Sequence, residues 1–131
     1  MRADDAEQLK NWYRRYNEVC NTHRFHELSG FVAANVLVNG RRQGLDGYVA
    51  GLRAVVDAFP DYRWDLRHLL VDGAWIAAHF VDTGTHESTF CGVPPTGRSV
   101  TTHEFAMYRV EDGLIAEVWV TADNAALLGS A

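Results

Sequence analysis

Cysteine, proline and long apolar runs are all scarce in this chain of 131 residues. There are two cysteines and three prolines. Cys20 and Cys91 form neither a CxxC motif nor a metal-ligand spacing, so we expect reduced thiols and no metal site. No uncharged stretch approaches the roughly 20 apolar residues of a membrane span, and the first residues lack the apolar core of a signal peptide. We therefore expect a cytoplasmic protein with no membrane partner.

Positive charge is also limited. The chain carries 12 Lys and Arg against 17 Asp and Glu, for a formal charge of −5. Nucleic-acid binding needs clustered basic side chains, and no basic run is longer than a pair such as Arg41-Arg42. Nucleic acid is therefore not an expected partner. Hydrophobic residues make up 47% of the chain, which is enough to form one core. We expect a single domain over residues 1–131.

The apolar pattern changes along the chain from helical to strand-like. Apolar residues at steps of three and four predict a helix over 4–20 and a second helix from a cap at Asp46 to Pro60. Strand-like runs lie at 31–38, 62–71, 75–85, 98–110 and 114–122. Helices followed by a run of strands predict an α+β fold. We expect a curved antiparallel sheet wrapped around the N-terminal helices, forming a cone with an apolar pocket.

Turn residues predict the register of the last hairpin. A three-residue loop at 111–113 would place His103 opposite Thr121 and Phe105 opposite Trp119. These four residues and Asp123 would then share one face of the sheet. A two-residue loop would move His103 to the other face, because a slip of one residue exchanges the faces.

The preceding hairpin turns near Asp72 and Gly73, through two or three residues. The three-residue loop matches apolar with apolar residues, since it sets Leu66 opposite Phe80 and Leu70 opposite Ile76. It is therefore preferred. It predicts one shared face, which holds Trp64, His68, Phe80 and Asp82. Parity alone does not say which face of either hairpin looks into the pocket.

The segment 84–98 carries the most distinctive motif. Gly-Thr-His at 84–86 is followed by Phe-Cys-Gly-Val-Pro-Pro-Thr-Gly-Arg at 90–98. This pattern closely resembles the central signature of the SnoaL-like polyketide cyclases, whose fold is the nuclear transport factor 2-like cone. Glu117-Val118-Trp119 ahead of Asp123 is similar to the family's Trp-x-x-x-Asp. The resemblance implies a cofactor-independent enzyme that closes a ring by intramolecular aldol condensation.

The resemblance also implies the catalytic residues. Asp123 matches the family's acid/base, although an Asp followed by Asn-Ala-Ala also suits the cap of a short terminal turn. The family often carries His just before the Trp, where this chain has Val118. His103 on the neighbouring strand is a candidate to replace it, or it is a hydrogen-bonded histidine of the sheet. His86 is a third candidate, or it bonds the backbone of its own turn.

We expect a small apolar or aromatic polyketide-like ligand, held by six aromatic side chains. These are Trp12, Tyr16, Trp64, Phe80, Phe105 and Trp119. Apolar residues on both faces of the later strands predict a homodimer packed through the sheet, because one helical layer covers only one face. Two alternatives stay open. One is isomerisation, epoxide opening or hydroxylation in the same pocket, and the other is a non-catalytic module for binding or dimerisation.

Overall fold

The computed structural model describes residues 3–121, so Asp123 lies outside the described residues. The elements, in chain order, are helix α1 (Ala3–Asn21), a 3₁₀ helix (Phe25–Gly30), strands β1 (Val32–Val38) and β2 (Arg41–Arg42), helix α2 (Gly44–Ala58), and strands β3 (Arg63–Asp72), β4 (Trp75–Thr85), β5 (Ser99–Glu111) and β6 (Leu114–Val120). The predicted helices and the five predicted strands are present, and the short strand β2 was not predicted.

The six strands form one open, curved sheet in the order β2-β1-β6-β5-β4-β3. Strands β3 to β6 are joined by antiparallel hairpin pairing. Strand β1, however, runs parallel to β6. The α+β class is thus confirmed, but the expectation of a wholly antiparallel sheet is wrong. Helix α2 and four strands separate β1 from β6 in the chain, so no tight turn imposes an antiparallel pairing on them.

The two faces of the sheet have different surroundings. Along β4, buried and half-buried residues alternate, with Ile76, Ala78 and Phe80 buried. We call this side the inner face; it includes the even-numbered residues of β4 and those at 102–108 of β5. Helix α1 packs on β3 and α2 on β1. The outer face carries the odd-numbered residues at 77–83 of β4 and 103–107 of β5, and it includes exposed apolar side chains.

The last hairpin turns through two residues rather than three. Asp112 and Gly113 both have positive φ, at 52° and 79°, as a type I′ turn requires. A bulge between Arg109 and Val110 then shifts the register, so that Met107 pairs with Trp119. The predicted pairing of Phe105 with Trp119 is therefore wrong. The shorter turn alone would exchange the faces of the two strands, and the bulge exchanges them back. The prediction that residues 103, 105, 119 and 121 share one face is therefore confirmed. This face is the exposed outer face.

The β3–β4 hairpin differs from the prediction in a similar way. Leu66 pairs with Phe80, as predicted, but the turn is Gly73-Ala74, and a bulge follows Leu66. Leu70 therefore pairs with Ala77 instead of Ile76. His68 moves to the outer face, where it pairs with His79. Its expected position beside Trp64 is wrong.

Three smaller observations concern individual predictions. Helix α2 begins at Gly44, so Asp46 lies in its first turn and is not its cap. Both cysteines are free, with Cys20 buried and Cys91 exposed. Within residues 3–121, no helix is long and apolar enough to cross a membrane.

Candidate active site

A cavity of about 390 Å³ lies between helix α2 and the inner face of the sheet. This volume is within the range of small-molecule sites. Its apolar wall includes Leu52 and Val55 from α2, and Val118 and Val120 from β6. Three tyrosines and two carboxyl groups are among the polar residues of the wall. These are Tyr48, Tyr62, Asp82, Glu104 and Tyr108.

Two of these groups form a carboxyl pair on adjacent strands. Asp82 lies on β4 and Glu104 on β5, both on the inner face. Phe80 is the direct cross-strand partner of Glu104, so Asp82 is its diagonal neighbour, within reach of a long side chain. Asp82 is 1% exposed and Glu104 is half-buried. Each of the two carboxyl groups influences the pKa of the other.

The surroundings of Asp82 favour a proton on this pair. The hydroxyl of Tyr62 donates to Asp82 Oδ2 at 3.1 Å. Within residues 3–121, no group donates to Asp82 Oδ1, which is buried. A buried carboxylate oxygen without a donor is costly, and a protonated Glu104 supplies the missing one. Two ionised carboxylates that are neighbours in a buried site would also repel each other.

Burial is the main reason why the pair keeps its proton. It raises the pKa of Glu104 to about 9, and the hydrogen bond to Asp82 and the negative charge of Asp82 act in the same direction. Burial also raises the pKa of Asp82, opposed by its hydrogen bonds to Glu104 and Tyr62. At neutral pH Glu104 is therefore protonated and can donate a hydrogen bond. A carboxylic acid kept neutral in this way can donate a hydrogen bond to a ligand.

Two tyrosines of the cavity wall, Tyr48 and Tyr108, contact two further tyrosines behind them. The hydroxyl groups of Tyr16 and Tyr48 hydrogen-bond each other. Tyr13 packs against Tyr108 with ring centroids 5.0 Å apart. Burial raises the pKa of all four phenols, so they are neutral donors and acceptors at physiological pH. The wall thus offers uncharged hydrogen-bonding groups beside the carboxyl pair.

The predicted ligand-binding aromatics lie in different places. Trp64 lines the cavity, and Tyr16 reaches it through its bond to Tyr48. Phe80 is buried on the inner face. Trp12 packs on Phe31, with ring centroids 5.4 Å apart. The other two, Phe105 and Trp119, lie on the outer face and are 55% and 45% exposed.

His103 lies at the rim of the cavity, but its imidazole is on the outer face. There its Nδ1 is 2.9 Å from His79 Nε2, and His79 Nδ1 is 2.9 Å from His68 Nδ1. The three rings stack on one another, and His79 also stacks on Phe105. We call the three residues His68, His79 and His103 the histidine row. The structure therefore unites His103 with His79, whereas its predicted neighbour Asp123 is outside the described residues.

His86 is buried in the turn that connects β4 to β5. Its Nδ1 accepts from the hydroxyl and the backbone N–H of Thr96, at 3.0 and 3.3 Å. Its ring stacks on Phe59 with centroids 5.2 Å apart. His86 does not line the cavity. These contacts favour its interpretation as a group that shapes the turn.

The sequence analysis did not single out Glu104 or the pairing of Glu104 with Asp82. Both acids could have been recognised from the alternation of residues along a strand. Asp82 follows Phe80 at a spacing of two on β4, so it lies on the buried apolar face of that strand. An acid at such a position is unusual and points to a site. Glu104 shows the same pattern, because it lies on the same face of β5 as the buried residues Ala106 and Tyr108, at spacings of two.

The described part of the site contains neither a metal cluster nor a lysine or arginine. No three His, Cys, Asp or Glu side chains within residues 3–121 are arranged to hold a metal ion. None of the cavity-lining residues among them is Lys or Arg. In the described wall, the carboxyl pair therefore has no lysine or arginine beside it.

This architecture, with two helices against a curved sheet and a cavity between them, defines a class of cone-shaped α+β proteins. A family model described as SnoaL-like polyketide cyclase matches residues 10–130. The chain belongs to this family. No curated protein matches the sequence.

Solved structures agree with this assignment. The chain is 35% identical to a SnoaL-like polyketide cyclase from Agrobacterium tumefaciens, with a TM-score of 0.81, over 92% of this chain and 98% of the other. It is 27% identical to IdmH from Streptomyces antibioticus, a proposed polyketide cyclase, with a TM-score of 0.75 over 86% and 89%. AclR from Streptomyces galilaeus, a proposed hydroxylase, is 21% identical with a TM-score of 0.83 over 94% of both chains, and shares the fold.

Proposed function

We propose that the protein is a cofactor-independent cyclase that closes a ring in a polyketide-like ketone or ester by intramolecular aldol condensation. The observation that carries the proposal is the cavity of about 390 Å³, which has apolar walls and an uncompensated carboxyl pair. Apolar walls suit a folded aromatic chain, and proximity of its two reacting carbons supplies much of the acceleration. Acid/base groups in such a cavity supply the proton transfers.

Asp123 is the proposed base. It would remove a proton from the carbon next to one carbonyl, and the resulting enolate would attack a second carbonyl of the same molecule. His103 and His86 remain proposed assistants from the sequence, but neither imidazole is seen facing the cavity. A neutral hydrogen-bond donor is needed to stabilise the enolate and alkoxide oxygens, and the wall offers several.

The proposal is tested with a polycyclic aromatic β-keto ester that carries a second carbonyl. The cyclised product has the mass of the substrate, or that mass less one water, and it is identified by mass spectrometry. Asp123→Asn keeps the side-chain size and the capping ability but removes the basicity. We expect its rate to fall by roughly 10²–10⁴, with the circular dichroism spectrum unchanged.

A matched control is Asp72→Asn, at the exposed end of strand β3. It should retain the wild-type rate. Full activity of Asp123→Asn would refute Asp123 as the base. Wild-type protein that binds the ester but forms no cyclised product would favour the non-catalytic binding module.

Epoxide hydrolysis is less well supported than ring closure. That reaction in this fold is expected to need an Asp-Arg-Asp arrangement. Arg67 instead bonds Asp65 on the surface at 2.8 Å, and Arg109 bonds Glu111 and Glu117 at 3.0 Å. No described arginine lines the cavity.

The proposed assembly is a homodimer that packs through the outer face, and the proposed location is the cytoplasm. Leu70, Phe105, Met107 and Trp119 are 45–67% exposed there, an apolar patch of the kind that marks interfaces. Met107→Lys should yield monomers by sedimentation, whereas Ala54→Lys on the exposed side of α2 should remain dimeric. Wild-type protein that is monomeric at micromolar concentration would contradict the dimer.

A further inference from the structure

The carboxyl pair has three features that a merely structural acid would not need. Both side chains line the cavity and do not face solvent on the outer side of the sheet. Asp82 Oδ1 is buried, and none of the residues that the structure describes donates a hydrogen bond to it. Tyr62 holds the other oxygen of Asp82 at 3.1 Å, which fixes the carboxylate and leaves Oδ1 for the proton of Glu104. The arrangement thus directs one movable proton to the cavity wall.

We propose that Glu104 is the acid that binds and protonates the carbonyl oxygen attacked during ring closure, with Asp82 as its positioning residue. Resting on the proposed function, this inference also names the substrate class. The cavity wall holds two carboxyl groups and, among the described residues, neither lysine nor arginine. The site therefore accepts a neutral ketone or ester and rejects the corresponding carboxylate.

The proton and electron movements balance as follows. The base removes a proton next to one carbonyl, and the C–H electrons form the enolate. The enolate carbon forms the new C–C bond, and the π electrons of the second carbonyl move to its oxygen. The Glu104 proton passes to that oxygen, which leaves Glu104 ionised beside Asp82. Two buried carboxylates repel each other, so Glu104 takes the proton back from the base and the cycle closes.

Binding of two probes of nearly identical shape tests the substrate class without turnover. The probes are 2-acetylnaphthalene, a neutral ketone, and 2-naphthoate, its anionic counterpart. At pH 7, isothermal titration calorimetry should show at least about tenfold tighter binding of the ketone to wild-type protein. Equal affinities, tighter binding of the carboxylate or failure of the ketone to bind would overturn the substrate class.

Two variants of Glu104 separate hydrogen bonding from proton transfer. Glu104→Gln still donates a hydrogen bond, so it should bind 2-acetylnaphthalene within about threefold of wild type but lose roughly 10²–10⁴ in turnover. Glu104→Leu loses the donor as well, and its affinity for the ketone should fall by up to about tenfold. Glu87→Gln, an exposed acid outside the cavity, serves as the control.

The role of Asp82 is tested by the pH profile of turnover. Asp82→Asn removes the charge and the acceptor that hold the proton on Glu104, so the alkaline limb of the profile should move to lower pH. An unchanged limb would overturn the positioning role. If Glu104→Gln keeps full turnover of the β-keto ester, the Glu104 inference fails while ring closure stands. If wild type forms no cyclised product but the probe results hold, ring closure fails while the binding site stands.

Discussion

The two faces of the same strands carry two different groups of titratable side chains. On the inner face, Asp82 and Glu104 lie together in the cavity wall. On the outer face, one residue away in the chain, His103 belongs to the row with His79 and His68. The surroundings shift their pKa values in opposite directions. Burial raises the pKa of Glu104, whereas partial desolvation and the neighbouring His103 and His68 lower the pKa of His79.

The comparison shows that burial suppresses charge on both faces. A carboxyl group keeps its proton and an imidazole stays without one, because the ionised form is the one that loses hydration. The consequences differ, however. The neutral acid adjoins a cavity and has a proton to give, whereas the histidines adjoin exposed apolar side chains. The inner face is therefore suited to chemistry and the outer face to association.

The largest expected effect compares one phenylalanine on each face. Phe80 is 2% exposed and Phe105 is 55% exposed. Phe80→Ala should reduce the free energy of unfolding by about 3–5 kcal/mol, because it leaves a cavity in the core. Phe105→Ala should cost much less at low protein concentration, and its cost should grow with concentration if a second copy covers the outer face. Urea unfolding at two protein concentrations measures both.

A smaller steric effect tests the packing of the inner face. A Cβ on Gly84 would lie 3.0 Å from Tyr62 Cδ1 and 3.1 Å from Phe59 Cβ. Gly84→Ala should therefore cost about 1–3 kcal/mol by overpacking. Gly51→Ala on α2 meets nothing within 4 Å and should stabilise the helix by up to about 1 kcal/mol. Destabilisation of equal size in both variants would contradict this account of the packing.

The proton on Glu104 predicts how stability depends on pH. Because the folded-state pKa of Glu104 is raised to about 9, the folded protein binds a proton that the unfolded chain releases above pH ~4.3. Stability should therefore fall between these two pH values, by at most about 1.4 kcal/mol per pH unit. Glu104→Gln should remove this loss, so its advantage over wild type grows as the pH rises. A stability difference between Glu104→Gln and wild type that stays constant with pH would argue against a proton on Glu104 in the folded protein.

The outer face should show the smallest effect, with the opposite sign. Because the pKa of His79 is lowered in the folded protein, the unfolded chain binds the additional proton as the pH falls through about 6.5. Wild-type stability should decline there, and His79→Gln should decline less. Thermal unfolding at pH 5 and pH 8 makes the comparison. Identical pH dependence in the two proteins would contradict the assignment.

The sequence predicted the fold better than the site. Apolar periodicity located both helices and the five longer strands, and the motif at 84–98 identified the family. The hairpin registers failed because each combines a two-residue turn with a bulge, and a bulge leaves no reliable mark in turn residues. That error placed His68 on the wrong face and obscured which histidines meet.

The carboxyl pair could be recognised only in part. The alternation along β4 places Asp82 on the same face as Phe80. Its proximity to Glu104 depends on the register between β4 and β5, and no short hairpin fixes that register because residues 86–98 connect the two strands. The raised pKa depends in turn on α2, which covers the cavity from a distant part of the chain. Such long-range burial cannot be read from local pattern.

The most direct test of the central claim is the protonation state of Glu104. Carbon-13 NMR of its side-chain carboxyl, assigned by comparison with Glu104→Gln, follows that state as the pH is raised. The account predicts that Glu104 is protonated at pH 7 in wild type, loses its proton near pH 9, and titrates at lower pH in Asp82→Asn. Titration of wild-type Glu104 near its ordinary pKa of about 4.3 would contradict the account.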